Sequence, residues 1–133
     1  MTPCYCGRQK SFTECCDLYI SGKQVPTNAE DLMRSRYSAF CVVNMDYLMA
    51  TTDLQVRYDF DHKANEAWAR NANFNKLEIL NTEETGAKSI VEFKAYFNLE
   101  NQDHVHHEIS TFRKTNGQWF YRAGRIIPTP QKS

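Results

Sequence analysis

The sequence lacks a long apolar run, an apolar leader and a net charge. No stretch approaches the roughly 18 apolar residues that a membrane-spanning helix needs. The first residues, MTPCYCGRQK, contain no hydrophobic segment of the kind found in signal peptides. We therefore expect a cytoplasmic protein without membrane association. Its 16 basic and 16 acidic residues cancel, so net charge does not indicate nucleic acid as a partner.

Apolar residues are plentiful after the first part of the chain. They make up 41% of the 133 residues and aromatic residues 13%, which is enough for one compact domain with a core. Residues 1–25, in contrast, hold four of the five cysteines and few aliphatic side chains. Bound metal can supply the folding free energy that such a segment lacks. We expect a zinc-binding motif at 1–25, an α+β domain at 26–128 and a loose tail at 129–133.

The cysteines of this motif have a spacing that suits a structural zinc site. Cys4 and Cys6 are separated by eight residues from Cys15 and Cys16, and such a loop can fold back to close a tetrahedron of thiolates. Gly7 allows a tight turn after Cys6. The adjacent pair can converge on one ion only in a bend or at a helix start. We expect one closed, structural Zn²⁺ site with these four cysteines as ligands.

Three other interpretations of these cysteines stay open: a dithiol redox site, disulfides in an oxidising compartment, and idle thiols in a disordered tail. A reducing cytoplasm argues against disulfides. The C-x-x-C spacing typical of dithiol redox sites does not occur in the sequence. The fifth cysteine, Cys41, lies on the apolar stripe of a predicted helix, where we expect a small buried hydrophobic residue.

The remaining pattern predicts three helices followed by four strands. Helical spacing of apolar residues predicts helices at 26–43, 45–50 and 62–71, and alternation predicts strands at 77–85, 90–97, 104–114 and 119–127. Thr27 and Glu30 form a capping box at the first helix, and Asn44 caps the second. Asn116-Gly117 marks a hairpin turn. This order predicts an α+β fold with helices on one face of a curved antiparallel sheet.

A histidine run on the third strand holds the weak candidates for catalysis. His106 and Glu108 share one strand face, while His107 points to the other. The His106–Glu108 pair can transfer protons if it lines a cavity. Because the run lies beside a loop, we expect it to be mostly exposed. Arg34 and Arg36 face different sides of the first helix, so one can pair with an acid such as Glu108 and the other can contact the cysteine motif.

Several motifs resemble those of a known family. They are residues 3–7 with Lys10, Phe12 and Cys15-Cys16, then residues 32–40, residues 46–48, and the late run that includes Glu108, Ser110, Phe112 and residues 116–121. The first resembles the SEC-C zinc motif, and the others resemble the bacterial YchJ-like proteins over essentially the whole chain. The resemblance implies a cystatin-like, nuclear-transport-factor-2-like cone after the zinc motif, and it implies no established reaction.

Two functions are consistent with this sequence. The first is a binding or adaptor module that engages a protein or ribosomal partner. The second is a small-molecule binder, or an enzyme with isomerase- or dehydratase-like acid–base chemistry, that uses a pocket in the cone. The zinc motif is the stronger signal and favours the first function over catalysis, with the enzyme kept as the alternative. A polar-lined cavity that contains a histidine or a carboxylate would favour the second.

Overall fold

The protein is an α+β domain in which the helices come first and the strands follow. The computed structural model describes residues 2–128, and the tail expected at 129–133 lies outside them. The elements are α1 (Cys16–Ile20), α2 (Ala29–Cys41), α3 (Met45–Ala50), α4 (His62–Asn71), β1 (Asn73–Thr85), β2 (Lys88–Leu99), β3 (Gln102–Thr115) and β4 (Gln118–Ile126), with 3₁₀ turns at Phe12–Glu14 and Arg57–Asp59. The predicted α+β class is confirmed, and α1 and the two 3₁₀ turns are additions. None of the helices in this range is long and apolar enough to cross a membrane.

Helix α2 begins one residue later than the capping box predicts. Asn28 is the cap, and its side-chain oxygen accepts a hydrogen bond from the backbone amide of Asp31 at 2.7 Å. The predicted box of Thr27 and Glu30 is therefore wrong. Both Thr27 and Asn28 carry a capping oxygen, but Asn28 occupies the last extended position before the helix (φ −149°, ψ 166°). Asn44 caps α3 as predicted.

The four strands form one antiparallel sheet in the order β1-β2-β3-β4. Asn116 and Gly117 both have positive φ, 51° and 79°, which is the two-residue hairpin geometry that this dipeptide favours. Strand β1 is longer than predicted, because its first residues also pair with β2, as Phe74 does with Phe97. Irregularities in β1 and β4 interrupt the regular pairing, and such bulges bend and twist the strands.

The core lies between α2 and the inner face of the sheet. Val91, Phe93, Ala95 and Phe97 alternate along one face of β2 and are all buried. Strand β3 contributes Phe112, and α2 contributes residues of its apolar stripe such as Leu32, Met33 and Tyr37. The four cysteines of the first segment belong to this same buried cluster. Helix α2 therefore connects the cysteine motif to the sheet.

Candidate functional site

The four cysteine sulfurs of the first segment converge on one point. The sulfurs of Cys4, Cys6, Cys15 and Cys16 are buried and lie within 4.8 Å of one another, and those of Cys6 and Cys15 are 3.7 Å apart. Thiolates at about 2.3 Å from a tetrahedral ion stand about 3.8 Å from each other. All five cysteines are free thiols, and Cys41 lies outside the cluster. The donor set therefore fits a tetrahedral ion that prefers sulfur.

The local backbone explains how four nearby cysteines meet. Gly7 has a φ of +93°, which gives the sharp turn after Cys6 that only glycine adopts without strain. The chain then returns, and the amide of Cys4 bonds to the carbonyl of Lys10 at 2.9 Å. Cys15 sits in the bend between the first 3₁₀ turn and α1. This bend brings Cys15 and Cys16 to the same side of the chain, which is necessary if both are to bind one ion.

Electrostatics of the cluster favour a bound cation. A hydrogen bond from Cys16 lowers the pKa of the Cys6 thiol, and the backbone amide of Arg8 adds to the effect. Burial raises the pKa of Cys15, and the hydrogen bond to Cys6 raises that of Cys16. Without a cation one thiolate therefore discourages the ionisation of its neighbours. A divalent ion supplies the charge that lets all four sulfurs act as thiolates.

Arg34 joins the cysteine motif to α2. Its Nη1 donates a hydrogen bond to the backbone carbonyl of Cys6 at 2.7 Å, and its Nε donates to Glu30 at 2.9 Å. Arg8 reaches the same helix and lies 2.6 Å from a carboxylate oxygen of Asp31. The sequence allowed either Arg34 or Arg36 to contact the cysteine motif. In the structure, Arg34 makes this contact.

A cavity of about 600 Å³, which we call the cone cavity, lies between the helices and the inner face of the sheet. Its apolar wall includes Phe40, Phe60, Trp68, Phe74 and Phe93. Trp68 packs edge-on against Phe40 and Phe74, with ring centroids 5.1 Å and 5.2 Å apart. These packed aromatic rings therefore also form one wall of the cavity.

The polar wall of the cone cavity centres on Glu108. One carboxylate oxygen, Oε1, lies 2.8 Å from His106 Nε2, and the other accepts hydrogen bonds from Tyr121 and Ser110. Burial alone would raise the pKa of Glu108, but the hydrogen bonds from His106, Ser110 and Tyr121 outweigh it and hold the pKa below its ordinary value. Gly124 leaves room for this group, since a Cβ there would collide with Glu108 Oε2 and the Tyr121 hydroxyl. Glu108 is thus an ionised carboxylate with both oxygens occupied.

His106 lies in the wall of the cavity, and the expected exposure of the histidine run is wrong for it. Its side chain is 26% exposed, and its ring lies 5.7 Å from the Trp68 ring. Because an ionised carboxylate only accepts hydrogen bonds, Nε2 donates to Glu108. Within residues 2–128, Nδ1 has no hydrogen-bond partner. The structure thus brings His106 and Glu108 together and leaves Nδ1 available for a further hydrogen bond.

His107 is separated from this site. It lies on the outer face of β3, where its Nε2 is 2.7 Å from a carboxylate oxygen of Glu92. Its side chain is 16% exposed, so the expectation of a solvated residue is wrong here as well. The cross-strand pair with Glu92 accounts for this burial. Of the three weak catalytic candidates, only His106 and Glu108 face the cavity.

Arg36 is a functional candidate whose role the sequence left open. It is 7% exposed and lines the cone cavity. Its guanidinium carbon lies 4.5 Å from the centre of the Tyr121 ring. Burial lowers the pKa of Arg36 to about 10, so the side chain remains charged at neutral pH. The helical spacing of Arg36 with Met33, Tyr37 and Phe40 was the signal that places it on the inner face.

Comparison with known proteins identifies relatives that match most of this chain. The family profile described as YchJ, middle NTF2-like domain, matches residues 28–124. A UPF0225 protein of Geobacter sulfurreducens is 38% identical over 134 residues, which cover 98% of this chain and 83% of the relative. A SEC-C motif containing protein from Rhodopseudomonas palustris, known from a solution structure, is 36% identical with a TM-score of 0.88, covering 96% of this chain and 100% of that chain.

A second solved structure extends the match. The crystal structure of a SEC-C motif containing protein from Psychrobacter arcticus has a TM-score of 0.84 at 28% identity, and it covers 98% of this chain and 86% of that chain. These matches include the cysteine motif as well as the α+β domain. The chain therefore belongs to the YchJ-like family of bacterial UPF0225 proteins, in which a SEC-C motif accompanies an NTF2-like domain.

Proposed function

We propose that the protein binds a small organic molecule in the cone cavity and that its cysteine cluster holds a structural zinc ion. The proposal that a small molecule binds is supported by the cavity itself, which has an aromatic wall on one side and a hydrogen-bonded charged wall on the other. Its volume of about 600 Å³ lies within the range of roughly 300–1,000 Å³ that is typical of small-molecule sites.

The polar wall supports ligand binding over simple packing. Arg36 and Glu108 are both buried, and burying charged groups costs free energy that apolar residues of similar size would save. Departures of this kind from an apolar core are expected at functional sites. His106 adds an Nδ1 that can hydrogen-bond with a polar group of the ligand. The aromatic wall would hold an apolar or aromatic ligand body.

An uncharged aromatic probe tests this proposal. We expect 2-naphthamide to bind with a Kd of about 1 mM, since its 13 non-hydrogen atoms contribute about 0.3 kcal/mol each. Two-dimensional NMR titration should shift the Trp68 indole signal and other signals of the cavity wall. Asn65, on α4, lines the cavity, so Asn65→Trp should weaken binding.

A matched variant on the same helix is the control. Lys63 is exposed on α4 and lies outside the cavity wall, so Lys63→Trp should bind the probe as the wild type does. Equal binding by both variants, or signal shifts confined to the outer face of the sheet, would overturn the proposal.

Zinc is the ion that we propose for the cysteine cluster. Four sulfur ligands suit structural zinc, and they leave no position for water, so the site would be closed and non-catalytic. Protein purified without a chelator should contain about one zinc ion per chain by elemental analysis. Cys15→Ser should lose most of this zinc, whereas Cys41→Ser should retain it because Cys41 lies outside the cluster. Zinc-free wild-type protein with an ordered cysteine cluster would contradict the assignment.

The expected protein or ribosomal partner stays a prediction, together with the cytoplasmic location in which free thiols persist. The cysteine motif offers an exposed aromatic residue, since Tyr5 is 41% exposed and packs edge-on against Phe12. Affinity capture from cytosol with the wild type and with a Cys15→Ser, Cys16→Ser variant tests the idea. Partners retained equally by both would show that the motif does not recruit them.

A further inference from the structure

We propose that the ligand of the cone cavity is an organic monocarboxylate with an aromatic or cyclic body, and that Arg36 binds its carboxylate. This inference rests on the proposed function, because it names the ligand class of the same site. Its basis is the buried guanidinium of Arg36, which has hydrogen-bonding capacity that the described protein does not use.

The hydrogen bonds of Arg36 leave one edge of its guanidinium free. Nη1 donates to the carbonyl of Leu48 at 2.8 Å and to the hydroxyl of Thr51 at 2.7 Å, and it lies 3.4 Å from the Thr52 hydroxyl. Nε and Nη2 make no hydrogen bond to any residue between 2 and 128, and neither nitrogen is sealed from the cavity. Because both nitrogens reach the cavity, this edge can donate to an acceptor that enters it.

The charge of Arg36 also lacks a direct ionic partner. Within residues 2–128 no carboxylate lies in ion-pair distance of its guanidinium. Glu108 lines the same cavity, but its oxygens already accept hydrogen bonds from His106, Ser110 and Tyr121. Buried charges in proteins are usually paired. A ligand carboxylate would complete the pairing that Glu108 leaves open.

The geometry favours a carboxylate with a single negative charge. Nε and Nη2 form the fork of a guanidinium that bonds both oxygens of a carboxylate side by side. A dianion such as a phosphate monoester would meet only one unpaired cation and would lie near the negative charge of Glu108. Two further acids of the cavity rim, Asp59 and Asp61, are exposed, so solvent screens their repulsion of a monoanion.

The aromatic wall selects the rest of the ligand. The rings of Phe74, Trp68 and Phe93 face the same cavity as the Arg36 fork. A flat ring would pack between them while its carboxylate reaches Arg36. An aliphatic dicarboxylate would place a second charge against these rings without a partner, which is costly. The expected ligand is therefore an aromatic or alicyclic acid.

Two probes of the same shape test the charge alone. We expect 2-naphthoate to bind the wild type about tenfold more tightly than 2-naphthamide, because a charged carboxylate at Arg36 contributes at least one charge-assisted bidentate contact. Isothermal titration calorimetry and NMR titration both measure this ratio. In the NMR spectrum the Arg36 Nε–H signal should shift with the acid and stay in place with the amide.

Two variants test whether Arg36 is responsible for the preference for the acid over the amide. Arg36→Gln should remove the preference for the acid, because the guanidinium is lost, and leave amide binding within about twofold, because the aromatic wall is unchanged. Arg122→Gln is the control, since Arg122 lines the same cavity but lies 3.5 Å from Asp53 and bonds to Gln55. It should keep the tenfold ratio. If Arg36→Gln fails to fold, the wild-type ratio and the Arg36 Nε–H signal decide the outcome.

The outcomes separate the ligand class from the proposed function. Equal affinity for acid and amide would overturn the carboxylate inference and leave small-molecule binding intact. A preference that survives Arg36→Gln and disappears in Arg122→Gln would also overturn it. Failure of both probes to bind, with no effect of Asn65→Trp, would overturn the inference and the proposed function together.

Discussion

Glu108→Gln is the sharpest test of the polar wall. The substitution keeps the size of the side chain and removes its charge. It weakens three hydrogen bonds, which the carboxylate accepts from His106, Ser110 and Tyr121. A hydrogen bond to a charged group contributes about 1.5–3 kcal/mol and a neutral one about 1 kcal/mol, while desolvation offsets part of the difference. We expect a loss of about 2 kcal/mol in the free energy of unfolding near neutral pH.

The pH dependence of this loss follows from the pKa of Glu108. The fold lowers that pKa relative to the unfolded chain, so the carboxylate stabilises the fold above its unfolded pKa of about 4.3. This stabilisation disappears as the pH falls through the folded pKa. The difference between wild type and Glu108→Gln should therefore be fully present above the unfolded pKa and shrink as the pH falls through the lower folded pKa.

Urea unfolding, followed by tryptophan fluorescence at several pH values and constant salt, measures this difference. Loss of bound metal at low pH affects both proteins alike and cancels in the comparison. Glu84→Gln is the control, since Glu84 is exposed on β1 and should change the free energy by less than about 0.5 kcal/mol. A Glu108→Gln loss as small as that of the control, or one that grows as the pH falls, would refute the account of the polar wall.

Three further perturbations test neighbouring contacts. Gly124→Ala should cost about 1–3 kcal/mol in urea unfolding, because its Cβ must displace the Glu108 carboxylate; an unchanged midpoint would contradict the close packing. Arg34→Ala should speed zinc transfer to a chelator several-fold, since it loses the bond to the Cys6 carbonyl; unchanged release would assign Arg34 no role in holding the motif. Removal of zinc by a chelator should lower the melting temperature of the wild type, since a ligand of the folded state stabilises it, and re-addition should restore it.

The sequence predicted those parts of the fold that depend on neighbouring residues. The Asn116-Gly117 turn and the bounds of α4 follow from local pattern, and the structure agrees with them. The cap of α2 was predicted at Thr27 and lies at Asn28, because two adjacent residues offer equivalent oxygens and the path of the incoming chain decides between them.

The sequence predicted only part of the candidate site. Alternation along β3 placed His106 and Glu108 on one face, but it could not tell whether helices would cover that face. Arg36 and Tyr121 are far apart in sequence and meet only when α2 packs across β4. The clearest indication of a polar site in the sequence was Glu108. This charged residue lies on the same face of β3 as Phe112, which is buried. Long-range packing turns that pattern into a cavity wall.

Intermolecular NMR contacts between 2-naphthamide and the protein test the central claim, ligand binding in the cone cavity, most directly. We predict nuclear Overhauser effects from the probe's ring protons to Trp68, Phe74 and Phe93, which line that cavity, and their loss in Asn65→Trp. Contacts only to exposed residues outside the cavity, such as Tyr5 or Ile126, would contradict the claim.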